Sequence, residues 1–522
     1  METYAGQPPM GNTAAATAGG GTTTPESEKH IHPATDGNNN NYNNYNGNNG
    51  YDSNNNSDVY REKKTPPLTP PATDGSVDRA MGENIFSEGG KNYRTVGRWN
   101  TALILITNQI GLGILALPSV VQTLGIVPAV IAIIGIGLLS TYTAYELLQF
   151  YRRHPHVVNA VDMARIVGGR PLEVIMGVSL VTKMGLTCAS TIVTISVALN
   201  TLSSHGVCTA GFIGIAALGC WLLCLPRTFK FIAHIGIPST ISIVAAVLIV
   251  IISLGVGNPQ GAPPGWSRDV AVVQVVGNPS FREGVAACLN VCYAYAGNIA
   301  FVSNMAEMRN PSRDFVPALL VLQAVAIPLY LIAGLAIYCL AGEFTTSPSL
   351  GSAPRVAAKV AYGIALPCVL ATGAVFGHTA IKYIYVVAMK RIGATGELTS
   401  RTVKSWAVWV GCATLFWLLA FVVANAIPIF SSILAISSAT FIAWFTFGIS
   451  AVFWFHMNWH DGTLFSGWRK ICLFVLNVFI IVLALFMNSA GLWSAATGLQ
   501  QVFDNAENEI KGPFTCANNA IF

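Results

Sequence analysis

The stretch Asn108-Gln109-Ile110-Gly111-Leu112-Gly113-Ile114-Leu115-Ala116-Leu117-Pro118 lies inside an apolar run, about 98 to 120, that reads as a membrane-spanning helix. Two glycines and then a proline fall at mid-span, where helix propensity is lowest. A lipid-exposed helix cannot give up backbone hydrogen bonds, so this run predicts a break that lines a cavity. The sixth apolar run carries a counterpart, Tyr293-Ala294-Tyr295-Ala296-Gly297-Asn298, with Asn290 before it and Asn304 after it. The two stretches open the first and second blocks of five spans. Interruptions at matching positions in two halves point to the midplane site of an inverted-repeat transporter. Freed amides at the half-helix N-termini meet a carboxylate, and freed carbonyls meet an ammonium group or a cation. An α-amino acid presents both. Gly111 and Gly113 alone would also suit close helix packing; the matching break in the sixth run favours a site. The candidate substrate-binding residues are Asn108, Ile110, Gly111, Leu112, Gly113, Tyr293, Tyr295, Gly297 and Asn298.

Working outward, apolar runs between charged or Gly/Pro-rich breaks give eleven candidate spans, near 98–120, 125–150, 173–203, 211–226, 231–256, 282–306, 315–342, 356–389, 404–426, 429–456 and 469–493. The expected fold is an all-α polytopic membrane protein. Composition agrees: of 522 residues, 52% are apolar and 10% charged, with a mean hydropathy of +0.53, against about 25% charged in soluble domains. Three parts are expected: a disordered cytoplasmic tail over 1–90, a transmembrane domain over 91–493 and an extracytoplasmic tail over 494–522. The tail is asparagine-rich over 38–57, with Tyr42, Tyr45 and Tyr51 interspersed, and cannot bury enough apolar surface to fold. Thr65-Pro66-Pro67 and Thr69-Pro70-Pro71, close to Lys63 and Lys64, read either as a solvated linker or as a segment for kinase or ubiquitin-ligase control. No apolar stretch precedes residue 97, so the first span is expected to direct insertion.

Lys and Arg placement orients the chain. Seventeen basic residues (Lys91, Arg94, Arg98, Arg152, Arg153, Arg165, Arg170, Arg227, Lys230, Arg309, Arg313, Lys390, Arg391, Arg401, Lys404, Arg469 and Lys470) fall on one side. Five (Arg268, Arg282, Arg355, Lys359 and Lys511) fall on the other. This puts the N-terminus in the cytoplasm. The bias alternates through every loop, which supports the span count. Segment 151–172 reads as a cytoplasmic interfacial helix or loop. A net charge of +5 without a basic run away from helix ends leaves no nucleic-acid footprint. Of the eleven cysteines, nine fall in apolar runs as small hydrophobes. Cys220 with Cys224 and Cys288 with Cys292 have metal-like spacing but lack His or carboxylate partners, so they read as packing and no metal is expected. Cys208 and Cys516 lie in loops or tails, where a disulfide on the outer side is open to them.

The pattern Asn108-x-x-Gly111-x-Gly113-Ile114-Leu115-x-Leu117-Pro118 with Gly125, together with Glu307-Met308-Arg309-Asn310-Pro311 and Phe315, resembles the amino acid/auxin permease family. Within it, the chain is most similar to the filamentous-fungal neutral amino acid permeases. The resemblance covers about 90–493. It implies a LeuT-type fold, two inverted five-helix repeats plus an eleventh helix, and secondary transport of amino acids. It also implies that the first and sixth helices hold the substrate backbone, with side-chain contacts from the third, eighth and tenth. Leu112 is a departure, since many relatives carry a small residue between the two glycines.

Intramembrane charges are functional hypotheses by default. Lys183 lies about eleven residues into the third span, roughly 16 Å along a helix, and reads either as a coupling group or as a snorkelling or paired structural lysine. His378 and Lys382 are one turn apart on one face of the eighth span. In a LeuT-type fold that stretch neighbours the first helix near the cation position, which implies that a lysine ammonium stands in for sodium and that losing its proton releases the clamp. The alternative is packing near the cytoplasmic end. Glu307 belongs to the family motif beside Arg309 and Arg313, as part of an inner gate. Glu146, Glu173 and Glu283 are expected at helix ends, solvated by the interface.

No HExxH, GxSxG or GxxxxGK[ST] stretch supports an enzyme or an ATP-driven pump, and no filter-like segment supports a channel. The expectation is a proton-coupled symporter of neutral amino acids, with no cofactor and with sodium as the less favoured ion. Helices one, two, six and seven are expected to rock against the rest. A vacuolar or secondary-metabolite exporter and a non-transporting receptor share the same features. The plasma membrane is the expected location, with the vacuolar membrane as the alternative.

Overall fold

The computed structural model describes residues 94, 96–227, 230–267, 272–398, 402–504 and 512–520. Segment 1–90, with its threonine-proline pairs and asparagine-rich stretch, lies outside them, as do Lys91, Arg268, Arg401 and Lys511. The described chain is helical, and among the described residues its β-structure is one bridge between Val96 and Met308. In order come α1 (Arg98–Gln109), a 3-10 turn (Leu112–Ala116), α2 (Leu117–Leu124), α3 (Ile126–Arg153), α4 (Ala160–Ser203), α5 (Thr209–Cys224), α6 (Lys230–Val256) and α7 (Phe281–Ala294). Then follow α8 (Asn298–Glu307), α9 (Pro311–Ala341), α10 (Arg355–Arg391), α11 (Val403–Ala426), α12 (Phe430–Ser437), a π-helical stretch (Ser438–Gly448), α13 (Ile449–His460) and α14 (Trp468–Asp504).

Among the described residues, nine stretches are long and apolar enough to cross a membrane, or ten with the bent pair of α1 and the 3-10–α2 segment as one span. Helix α5 is apolar but only 16 residues long. Exposed apolar side chains cover the outer faces, among them Ile131 and Leu138 on α3, Leu415 and Leu418 on α11, and Val475 and Val482 on α14. Such a belt suits lipid rather than water.

Local chemistry sets the element boundaries. The Asn159 side chain accepts from the amides of Val161 and Asp162, and the Asp162 carboxylate accepts from that of Asn159, a reciprocal cap that starts α4. Gly168 and Gly169 (φ +62°) then kink α4 before Pro171, so the expected interfacial segment and third span form one bent element. Helix α14 runs on to Asp504, past the expected limit at 493, because residues 494–504 contain no proline and a helix need not be apolar to continue. Gly125 (φ +83°) separates α2 from α3, and a Cβ there would meet Gly277 N at 2.3 Å.

Loops predicted for the same side meet one another. At one end, Arg98 pairs with Asp314 at 2.8 Å and Arg153 with Asp461 at 2.7 Å. There Val96 N donates to Glu307 O at 3.1 Å, and Arg309 N to Val96 O at 3.0 Å. At the other, Cys208 is disulfide-bonded to Cys516, Phe514 N donates to Asn425 O, and Lys359 Nζ donates to Ser204 Oγ at 2.9 Å. Glu146 departs from expectation. It is 2% exposed, not solvated, because it sits on the inner face of α3 while its neighbour Tyr145 is 43% exposed; a count of residues from the helix end does not say which way a side chain faces.

Candidate functional site

The chain breaks helix at both predicted places. Between α1 and the 3-10 turn, Ile110 is extended (φ −83°, ψ 99°) and Gly111 has φ −153° and ψ −133°, and the segment bends by 43°. Between α7 and α8, Tyr295, Ala296 and Gly297 form a turn. The two breaks cross in contact. A Cβ on Gly113 would lie 2.6 Å from Ala294 Cα, and one on Gly297 would lie 2.9 Å from Gln109 Oε1. Tyr330, from α9, places its hydroxyl between them, 3.1 Å from Gln109 O and 2.9 Å from Ala294 O. One phenol proton is thus shared between backbone carbonyls of both breaks.

A cavity of about 80 Å³ lies at this crossing, room for several waters. The first break contributes Thr107, Asn108, Gln109, Gly111, Leu112 and Gly113, and the second contributes Tyr293, Ala296 and Gly297. Lys183 and Thr187 face it from α4, Gly236 and Ser239 from α6, and Thr372 and Phe376 from α10. Lys183 is 3% exposed and, among the described residues, the one charged side chain in this lining. Its Nζ stands 4.5 Å from the Phe376 ring centroid, a cation–π distance. One turn on, Thr187 Oγ1 donates to Lys183 O at 3.1 Å and accepts from Tyr293 Oη at 3.4 Å. Helix-start amides, hydroxyls and one ammonium therefore converge on a small volume, a donor and acceptor set suited to a zwitterion.

The structure brings together Asn108, Gly111, Leu112, Gly113, Tyr293, Gly297 and Lys183. It does not bring the other predicted residues to the cavity. The Tyr295 ring packs edge-on against Tyr330 at 5.2 Å and close to Gly137. Asn298 Nδ2 donates to Thr143 Oγ1 at 2.9 Å and to Thr446 O at 3.1 Å, tying the start of α8 to α3 and the π-helical stretch. Ile110 is buried beside the break. His378 turns to Pro226 O, 3.0 Å from Nε2, and to the Trp409 ring, and neither it nor Lys382 is among the residues lining the cavity. Lys382 is electrostatically coupled both to His378 and to Glu307 on α8. Thr187, Ser239, Thr372, Phe376 and Tyr330 were not predicted. Thr187 had a signal, one turn from Lys183 on the same face; hydroxyl residues elsewhere in apolar spans are too common to stand out. The tenth span, α12 to α13, supplies none of the lining described, and the fifth, α6, does.

Residues 94–494 match the family model described as "Transmembrane amino acid transporter protein". The chain belongs to that family. The transporter is 30% identical over 480 residues to the "N amino acid transport system protein" of Neurospora crassa, covering 88% of this chain and 98% of the relative. It is 28% identical to a "Transmembrane transporter" of Gibberella moniliformis (88% and 96% covered) and 28% identical to one of Fusarium pseudograminearum (86% and 93% covered). Membership makes it an integral membrane transport protein for amino acids, not an enzyme.

Proposed function

We propose that the transporter is a secondary active carrier of neutral aliphatic and aromatic amino acids, driven by proton symport and working by alternating access. The observation that carries this is the crossing of two broken helices on one small cavity whose single charged lining group, among the described residues, is Lys183. The α-carboxylate meets the helix-start amides and the ammonium meets freed carbonyls and hydroxyls. Lys183, with no carboxylate beside it among the described lining residues, repels basic side chains. Glu307 and Lys382 are assigned to the inner gate; His378 supports α10 against the chain at Pro226.

The proposed architecture is a LeuT-type pair of five-helix repeats plus one helix, eleven spans in all. Support for counting α5 comes from its flanks: Thr209 bonds Ala517 beside the disulfide, and Arg227 bonds Tyr385 and Leu398 at the opposite end. The basic end is assigned to the cytoplasm and the disulfide end to the oxidising side, with the plasma membrane as the location.

The test is uptake of labelled neutral amino acids into proteoliposomes under an inward proton gradient, an inward sodium gradient and no gradient. Concentrative uptake with protons alone is expected. Sodium-driven uptake would overturn the coupling assignment; binding without flux would turn the protein into a receptor.

A further inference from the structure

Glu146 stands apart from every site described above. Neither carboxyl oxygen has a hydrogen-bond partner among the described residues, although the side chain is 2% exposed. Tyr142, one turn earlier on α3, and Asn477, on α14, are the polar side chains that act on its carboxyl. Asn477 Nδ2 donates to Tyr142 Oη at 2.8 Å and to Leu473 O at 3.0 Å, while Asn477 Oδ1 is buried without a partner. The amide has spent both of its protons. The cluster therefore holds three unmatched acceptor oxygens, two on Glu146 and one on Asn477, against one remaining donor, the Tyr142 hydroxyl.

Among the described residues, no ion pair balances an ionised Glu146, and no charged group acts on its carboxyl. On α9, Asp314 pairs with Arg98, and on α8 Glu307 is coupled to Lys382. Beyond α13, Asp461 pairs with Arg153, while His456 and His460 stack on each other at 4.6 Å. On α14, Lys470 is bonded to Asn458 and Arg469 lies against Trp468. Arg282 and Glu283 on α7 pair with each other.

We propose that Glu146, with Tyr142 and Asn477, is a proton-carrying site of the transport cycle, separate from the substrate cavity. This rests on the proton-symport reading above. One proton added to the carboxylate gives a carboxylic acid whose O–H supplies the missing donor; its loss leaves a carboxylate that accepts one hydrogen bond, from the Tyr142 hydroxyl. The site is about 10 Å along α3 from Arg153, at the basic end. A route to the cavity is built in. Thr143, less than one turn before Glu146, accepts from Asn298, the first residue of the half-helix after the second break. Asn477 lies on another helix, so a shift of α3 against α14 alters the cluster and the second break together.

The experiment compares wild type, E146Q and E146D in proteoliposomes, by proton-driven accumulation and by substrate counterflow without a gradient. E146Q is expected to lose accumulation by roughly tenfold or more, within the range of free-energy coupling between linked sites, while keeping wild-type counterflow. E146D is expected to restore accumulation with a displaced pH profile. Accumulation by E146Q at the wild-type level would overturn the proposal while symport stands. Loss of counterflow and accumulation together in both variants would also overturn it, marking Glu146 as structural. Wild-type protein that does not accumulate substrate on a proton gradient removes the symport reading itself, and the proposal with it.

Discussion

The two helix breaks do opposite jobs with similar means. The first brings two glycines to the crossing: Gly111 and Gly113 carry no side chain, and Gly113 is pressed against the backbone of Ala294. The second presents a side chain to the cavity, Tyr293, and turns Tyr295 and Asn298 away into the framework. A broken helix thus divides its residues between ligand and scaffold. The division is set by the turn geometry, since Tyr293 and Tyr295 are two residues apart and point to different places.

Substitutions separate these jobs. The largest loss is expected from G113A, because its new Cβ meets backbone 2.6 Å away that cannot rotate aside; relieving such overpacking costs about 1–3 kcal/mol, and uptake should fall at least severalfold. G297A is expected to be milder, since its Cβ meets the ends of Gln109 and Phe301, which can move. Equal losses in uptake assays would break the comparison. Y330F removes the hydroxyl shared by both breaks and should cost about 1–3 kcal/mol, read as a lower melting temperature in detergent with reduced uptake. Y293F should raise the KM for uptake through the lost Thr187 contact, while Y295F, whose hydroxyl is buried without a partner, should leave KM unchanged; a KM shift in Y295F would place it in the cavity after all.

The smallest effect is at the basic end. Burial, then His156, His456 and Arg153, hold His154 below its usual imidazole range. The folded chain keeps it neutral while an unfolded chain takes up a proton below about pH 6.5. Stability should therefore fall as pH drops through that value. A melting temperature lower at pH 5.5 than at 7.5, with the difference reduced in H154Q, is the expected result.

Glycine and proline at mid-span made the breaks legible, because their effect on backbone geometry is intrinsic and needs no partner. Side-chain direction was not legible. Glu146 reads as interfacial from its distance to Arg152 and Arg153, yet it faces inward; His378 and Lys382 share a helix face and are coupled, yet His378 turns to Pro226 and neither lines the cavity. Tyr330 left no trace, since nothing local distinguishes a tyrosine that bridges two distant carbonyls from one that packs. Cys208 and Cys516 were an open pair until the fold brought them together across 308 residues. Distances along the chain predict periodicity, and contacts between helices decide the rest.

That cross-link also closes a covalent ring. Every residue from 209 to 515 lies within it, so a protease cut in the exposed loop near Gly265 leaves the two pieces joined until a reductant is added. A cut before Cys208, as near His156, releases a fragment at once. On a gel run without reductant, the first kind of nick would be invisible and the second would not.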